Sequence, residues 1–403
     1  MSLLMLPFET AFETLGIEKE VAIVPVPSGY PSPKLVNLVL RKRHGRAFLF
    51  EASAAREDVL RETFSALDAH GVSRLDGVLV THCHGDHAGS AGLVAARGYP
   101  EGERAPIYLH SASYRFLTHP EAAFLNETYE LFLTRAHWGL IAFNELSPDA
   151  MADHELRKQY GRYFSRTPKT ALRFVDQAQL PDGFWALFTP GHSNDCVLYY
   201  DEELGVAVPG DTIICTGLVD KPETHAYVIP IFTVAGQSYS MAFERYIHTI
   251  AVLRRFFERN RVRAVLPPHG KFAITKPLEW VAFAEGYFRG IYRTLLEDFL
   301  GNAERRRRPF MACDLNPFIS SAGAHPISTP SHTFGMLCAL VDEGYFSLEE
   351  HHATRQITFT VQSLPPPDWV ERTLARDPGP LPLYMHSQRA SAVTAASRPP
   401  PPG

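Results

Sequence analysis

The reactive side chains concentrate in one short stretch, Thr81-His82-Cys83-His84-Gly85-Asp86-His87-Ala88-Gly89-Ser90. Imidazole nitrogen and carboxylate oxygen are the donors taken by Zn²⁺ and similar borderline cations. Side chains repeat every second residue on extended backbone, so the rings of His82 and His84 point the same way. Cys83 is a ligand by type, but it lies between them and faces away, so it is expected to be a buried small hydrophobe. The apolar run Leu75 to Val80 reads as a buried strand before this stretch, and Ala91 to Arg97 as the first turns of a helix after it. The cluster therefore sits on a strand-to-helix turn, and the remaining ligands must come from other turns.

His-x-His-x-Asp-His after an apolar strand resembles the signature of the metallo-β-lactamase-fold hydrolases. Three later segments resemble the family's other metal positions: Thr189-Pro190-Gly191-His192-Ser193, Pro209-Gly210-Asp211-Thr212 and Leu266-Pro267-Pro268-His269-Gly270. The likeness spans roughly residues 20 to 275, and four segments in that order are far more specific than any one of them. On its own, His192 or His269 reads as an ordinary surface or core histidine. One departure is visible: many members carry an Asp-Thr-Gly-like turn where this chain has Phe50-Glu51-Ala52-Ser53. That turn supports the site in the family without ligating metal, so the departure bears on subfamily, not on metal binding.

The resemblance implies an α/β protein built as an αββα sandwich. It implies that His82, His84 and His192 hold one metal ion, that Asp86, His87 and His269 hold a second, and that Asp211 bridges them. Two such ions can share a hydroxide that is nucleophilic near neutral pH while polarising the substrate oxygen. Asp86 would also orient that hydroxide or relay a proton, so Asp86 and Asp211 are the expected catalytic carboxylates. Zinc is the first expectation for an all nitrogen and oxygen set, and iron or manganese is compatible. Redox members of the fold typically replace a histidine of the first motif by glutamate, and this chain keeps both, which favours hydrolysis.

The 403 residues suffice for a large buried core in one or two domains, and 45% hydrophobic with 21% charged residues is ordinary for a globular protein. A formal net charge of −5 gives no global attraction to nucleic acid or an anionic membrane. The five cysteines form no CxxC pair, which fits a reducing compartment. Met1 to Glu9 lacks a basic region and meets proline and glutamate early, a poor signal peptide. The expectation is a cytoplasmic protein with no membrane contact; a homodimer is left open.

Periodicity fills in the scaffold. Val21 to Val24, Leu35 to Leu40, Ala47 to Phe50, Pro106 to His110, Leu172 to Val175, Trp185 to Thr189, Val197 to Tyr200, Gly205 to Val208 and Val262 to Leu266 read as strands, and Pro25 to Pro33 as a loop. Glu57 to His70 and Met241 to Asn260 read as helices with apolar stripes. The aromatic-rich residues 111–168 read as a helical insertion able to wall a pocket over the metals. Residues 1–275 thus form the expected catalytic domain. Residues 276–386, with helices over Leu278 to Leu300 and Ser331 to Gly344 and a strand over Arg355 to Val361, resemble a small winged-helix-like module, and 387–403 read as a disordered proline-rich tail. The run Arg305 to Arg308 and the pair His351 and His352 read as solvated surface. His110 falls near the motif but is not expected to ligate.

These features rank the functions. First comes a dinuclear metal-dependent hydrolase acting on an ester, thioester or lactone of a small organic molecule, similar to glyoxalase II-like and polyketide-releasing thioesterases of the fold. A phosphodiesterase or endoribonuclease comes second, motivated by the arginine run and weakened by the acidic net charge. A catalytically idle binding or sensing protein comes third. β-Lactamase activity comes fourth.

Overall fold

The computed structural model describes residues 5–29, 34–119, 133, 135–140, 165–181, 183–214, 239–319, 328–380 and 383–384. Most of the expected insertion, the segment 215–238 and the proline-rich tail lie outside the described residues.

Two mixed sheets stack face to face. One contains β2 (Val21–Pro27), β3 (Leu35–Arg43), β4 (Arg46–Phe50), β5 (Gly77–Leu79), β6 (Ile107–Leu109) and β7 (Leu172–Phe174), in that order. The other runs β1 (Met5–Pro7), β12 (Phe272–Ile274), β11 (Ala264–Val265), β10 (Val206–Val208), β9 (Val197–Asp201), β8 (Phe184–Phe188) and β15 (Leu383–Tyr384). The strands alternate in a way that serves two cores at once. Val39, Phe48, Phe50 and Leu79 of the first sheet meet Phe184, Val197, Tyr199 and Val206 of the second in a layer between the sheets. Phe184 packs edge-on against Phe48 and Phe50 with centroids 5.0 and 5.6 Å apart. The intervening residues face outward: Leu38, Leu40, Leu49 and Val78 against α2 (Glu57–Ala69) and α4 (Ala91–Ala96), and Leu187, Leu198, Tyr200 and Ala207 against α6 (Tyr239–Arg259). α1 (Phe8–Leu15), α3 (Gly85–Ala88) and α5 (Tyr114–Thr118) are the remaining helices of this half. The result is the expected helix, sheet, sheet, helix order.

Polar ties lock the register of the two sheets. The buried Arg41 of β3 donates to Asp201 at the end of β9 at 3.0 Å, its guanidinium also lying 5.2 Å from the Phe184 centroid. The Tyr199 hydroxyl donates to the Val80 and Tyr108 carbonyls at 3.2 and 3.0 Å, and the Val197 amide to the Thr81 carbonyl at 2.9 Å. These bonds sit directly beneath the histidine-rich turn. The strand β2 corrects one expectation: it continues through Pro25 to Pro27 instead of ending in a loop at Pro25. β2 is an edge strand, where a residue lacking an N–H leaves no partner unsatisfied.

Beyond β12 come α7 (Pro277–Arg293), which continues as π-helix through Phe299, then α8 (Ser328–Asp342), a hairpin of β13 (Phe346–Glu350) and β14 (Ile357–Val361), and α9 (Trp369–Leu374). This helical part shares one continuous apolar core with α6: Phe243 stacks on Trp369 at 6.3 Å and packs edge-on against Phe288 at 5.7 Å. It also reaches the insertion. The Cys313 amide donates to the Trp138 carbonyl at 3.2 Å, and His137 Nε2 lies 3.7 Å from Glu350. Among the described residues no helix is long and apolar enough to cross a membrane.

Candidate metal centre

All the candidate ligands sit at the carboxyl ends of strands. β5 runs into Thr81, His82 and His84, and the single turn of α3 adds Asp86 and His87. β8 leads to His192, β10 to Asp211 and β11 to His269. Glycines make two of these turns. Gly191 (φ 148°) lies flat against Tyr246, whose Cα stands 2.9 Å from where a Cβ would be. Gly210 (φ 55°) presses on Thr81, whose Cβ would be 2.7 Å away. A side chain at either position would push the neighbouring ligand, His192 or Asp211, out of place.

Two groups of donor atoms converge, and the structure brings together every ligand read from the sequence. In the first, His84 Nδ1 lies 3.0 Å from His82 Nε2 and 3.0 Å from His192 Nε2. Asp211 Oδ2 joins them at 3.4 Å from His192 and 4.0 Å from His82. In the second, Asp86 lies 3.6 Å from His87 Nε2 and 3.5 Å from His269 Nε2. Asp211 Oδ1 is 3.4 Å from each of these two nitrogens. The two oxygens of one carboxylate therefore face two different ligand sets.

A metal ion fits each set. A tetrahedral ion with bonds of about 2.0–2.1 Å has ligand–ligand edges of about 3.3 Å, close to the separations above. His87 Nε2, His269 Nε2 and Asp211 Oδ1 are buried without a hydrogen-bond partner among the described residues, although they face one another. Buried polar atoms are left this way in folded proteins only where something else satisfies them. Charge agrees. Glu51, Asp86, Asp195 and Asp211 are all buried here, and no lysine or arginine pairs with them among the described residues.

Hydrogen bonds behind the rings set their tautomers. His269 Nδ1 donates to the Leu35 carbonyl at 2.6 Å, which leaves Nε2 as the free lone pair. The His269 turn is itself pinned by Asn37, whose side-chain amide donates to the Pro267 and Gly270 carbonyls at 3.3 and 2.8 Å. The Thr81 hydroxyl donates to Glu51 Oε1 at 2.5 Å and so accepts from His82 Nδ1 at 3.1 Å. Glu51 also accepts from the Thr81 amide at 3.2 Å and lies 3.3 Å from His87 Nδ1. One buried carboxylate thus backs a histidine of each set. Sequence reading placed Glu51 in a supporting turn but gave it no role. The signal present was a carboxylate at the end of an apolar strand, where nothing soluble should want one.

Burial and the neighbouring charges divide the imidazoles. Burial, reinforced by the adjacent imidazoles, holds His82 well below the usual histidine range. Burial also pushes His192 down to about 3. Burial opposes charge on His87 and His269 too, but there the carboxylates Asp86 and Asp211 outweigh it and raise both, His87 strongly. Asp211 is held well below the carboxylate range, against burial, by His269 and His87. Burial thus favours the neutral, ligating form of His82 and His192, whereas the carboxylates favour the protonated form of His87 and His269, which a metal must displace.

The other sequence candidates fall outside the centre. Cys83 is buried and belongs to neither donor group. His110 accepts from the Ala112 amide at 3.2 Å and stacks on Phe188 at 4.6 Å. His351 and His352 are exposed, as expected. Arg305 lies over the Phe318 and Phe299 rings at 4.5 and 5.5 Å, so the first arginine of the basic run is engaged in packing.

Comparison with known proteins agrees with this geometry. Residues 55–240 match the family described as the metallo-beta-lactamase superfamily. No curated protein matches the sequence. Among solved structures, a beta-lactamase domain protein from Burkholderia ambifaria is similar at 20% identity and a TM-score of 0.60, over 85% of this chain and 92% of its own. A metallo-beta-lactamase family protein from Thermus thermophilus is similar at 20% identity and a TM-score of 0.57, over 85% of this chain and 99% of its own.

Proposed function

We propose that this chain is a dinuclear metal-dependent hydrolase of the metallo-β-lactamase superfamily acting on an ester, thioester or lactone of a small organic molecule, in the glyoxalase II-like and thioesterase-like branch with a winged-helix-like C-terminal module. The observation that carries the reading is Asp211, whose Oδ2 faces His82 and His192 while its Oδ1 faces His87 and His269. A pair of neighbouring cations accounts for a carboxylate so shared. His82, His84 and His192 would hold one ion, Asp86, His87 and His269 the other, with zinc the first expectation and iron or manganese compatible. Two bound divalent ions supply a water-derived nucleophile near neutral pH and polarise the substrate oxygen.

The protein's own groups do the rest. Glu51, Thr81 and the Leu35 carbonyl hold the imidazoles in the tautomer that offers Nε2 to the centre. Asp86 would orient the attacking group or relay a proton to the leaving group. The insertion, braced by the C-terminal part through Trp138 and His137, is where small organic substrates would be selected. The test is a panel of acyl-CoA esters, other thioesters, lactones and simple esters offered to the metal-loaded protein, with Asp211→Ala as control. Turnover that is metal-dependent and lost in the control is expected. No turnover of any of them by a fully loaded protein would overturn the substrate class.

A further inference from the structure

A second carboxylate lies three residues past His192. Asp195 is 2% exposed, its Oδ1 accepts from the Ser193 hydroxyl at 2.5 Å, and its Oδ2 accepts from the Ser113 hydroxyl. Ser193 directly follows His192. Ser113 closes the turn Ser111–Ser113, through which the chain leaves β6 for the insertion. The other end of that turn is held too, because the Ser111 amide and hydroxyl donate to Asp176 at 3.1 and 2.7 Å.

We propose that Asp195 is a positioning residue for His192, one that clamps the His192 loop to the entrance of the insertion and raises the affinity of the His82/His84/His192 set for its ion. This rests on the metal-centre reading above. The opposite side of the same loop is held by α6, where Thr249 donates to the Pro190 carbonyl at 2.5 Å and Arg245 to Asn194 at 2.9 Å. The loop is thus gripped from both sides, and Asp195 is the grip on the insertion side. Two hydroxyls, one from each side, satisfy its oxygens, and no lysine or arginine pairs with it among the described residues.

The test uses the full chain, stripped and reloaded with Co²⁺, read by competition with a chromophoric chelator and by the visible cobalt bands. Asp195→Asn is expected to weaken Co²⁺ binding at the His82/His84/His192 site about ten-fold and to shift that site's bands, as removal of a carboxylate behind a metal ligand does. Ser113→Ala keeps the charge, frees one hydroxyl bond, and should weaken it by about three-fold. Wild-type affinity and spectrum in both variants overturns the proposal, as does a loss of metal-free stability with no change in affinity. If Asp195→Asn fails to fold, Ser113→Ala decides alone by the same criteria. A wild-type chain that takes up no cobalt overturns the metal-centre reading instead, which keeps the two failures apart.

Discussion

Glu51→Gln isolates what one buried carboxylate does behind two metal-binding histidines. The glutamate accepts from the Thr81 amide at 3.2 Å and hydroxyl at 2.5 Å, and lies 3.3 Å from His87 Nδ1, fully buried. Glutamine has the same shape and keeps the backbone at φ 67°. It has one acceptor oxygen, so its amide group must face either the Thr81 amide or His87, donor against donor. It also removes the negative charge that favours a ligating His87. Losing such a partner costs roughly 10–100-fold in metal affinity, or about 1.4–2.7 kcal/mol. The larger loss should fall on the ion held by Asp86, His87 and His269, because Glu51 touches His87 directly and His82 only through Thr81. Stepwise chelator competition on wild type and variant resolves the two ions. Wild-type affinity at both sites, or a loss confined to the His82/His84/His192 ion, would refute the reasoning.

Other consequences follow from the same geometry. In the metal-free protein burial works against charged His87 and His269, but Asp86 and Asp211 outweigh it and raise both, so each holds its proton below its raised value and gives it up to a metal. Loading should therefore release protons, and affinity should fall as pH drops; calorimetry in buffers of different ionisation enthalpy measures this, and loading without proton release would contradict it. The same shifts make these two charges stabilise the metal-free fold at low pH, a contribution lost as pH rises through their raised values. Gly210→Ala drives a Cβ into Thr81 at a positive φ, and should cost about 2–4 kcal/mol in urea denaturation. Trp369 packs on Tyr292 and Phe243 at 5.4 and 6.3 Å. Trp369→Ala should cost about 3–5 kcal/mol and move one common unfolding transition, since α6 and the C-terminal helices share a core; two separate transitions would contradict that.

What could be read from the chain before folding follows from how each feature is encoded. His82, His84, Asp86 and His87 crowd into six residues and stand out by type and spacing alone, whereas His192, Asp211 and His269 were legible only because their segments resemble the later metal positions of a known family, in the same order. Strands such as Val197–Asp201 were legible because they open on an unbroken apolar and aromatic run, Val197 to Tyr200, buried on both faces. The strand Phe346–Glu350 was not: four of its five residues are exposed and two are glutamate, a hairpin edge with no inward pattern. Pro25 and Pro27 misled because proline marks a break in most contexts but not on the outer edge of a sheet. Glu51 and Asp195 were silent for a different reason. Their partners, Thr81, His87 and Ser113, lie 30 to 82 residues away, and only the fold brings them together.

The account depends on two cations sharing Asp211. Anomalous diffraction from crystals of the metal-loaded protein, collected on both sides of the metal's absorption edge, tests it most directly. The account predicts two peaks, one among His82, His84 and His192 and one among Asp86, His87 and His269, with an oxygen of Asp211 against each. A single peak with Asp211 turned away, or none in protein loaded to saturation, would contradict it.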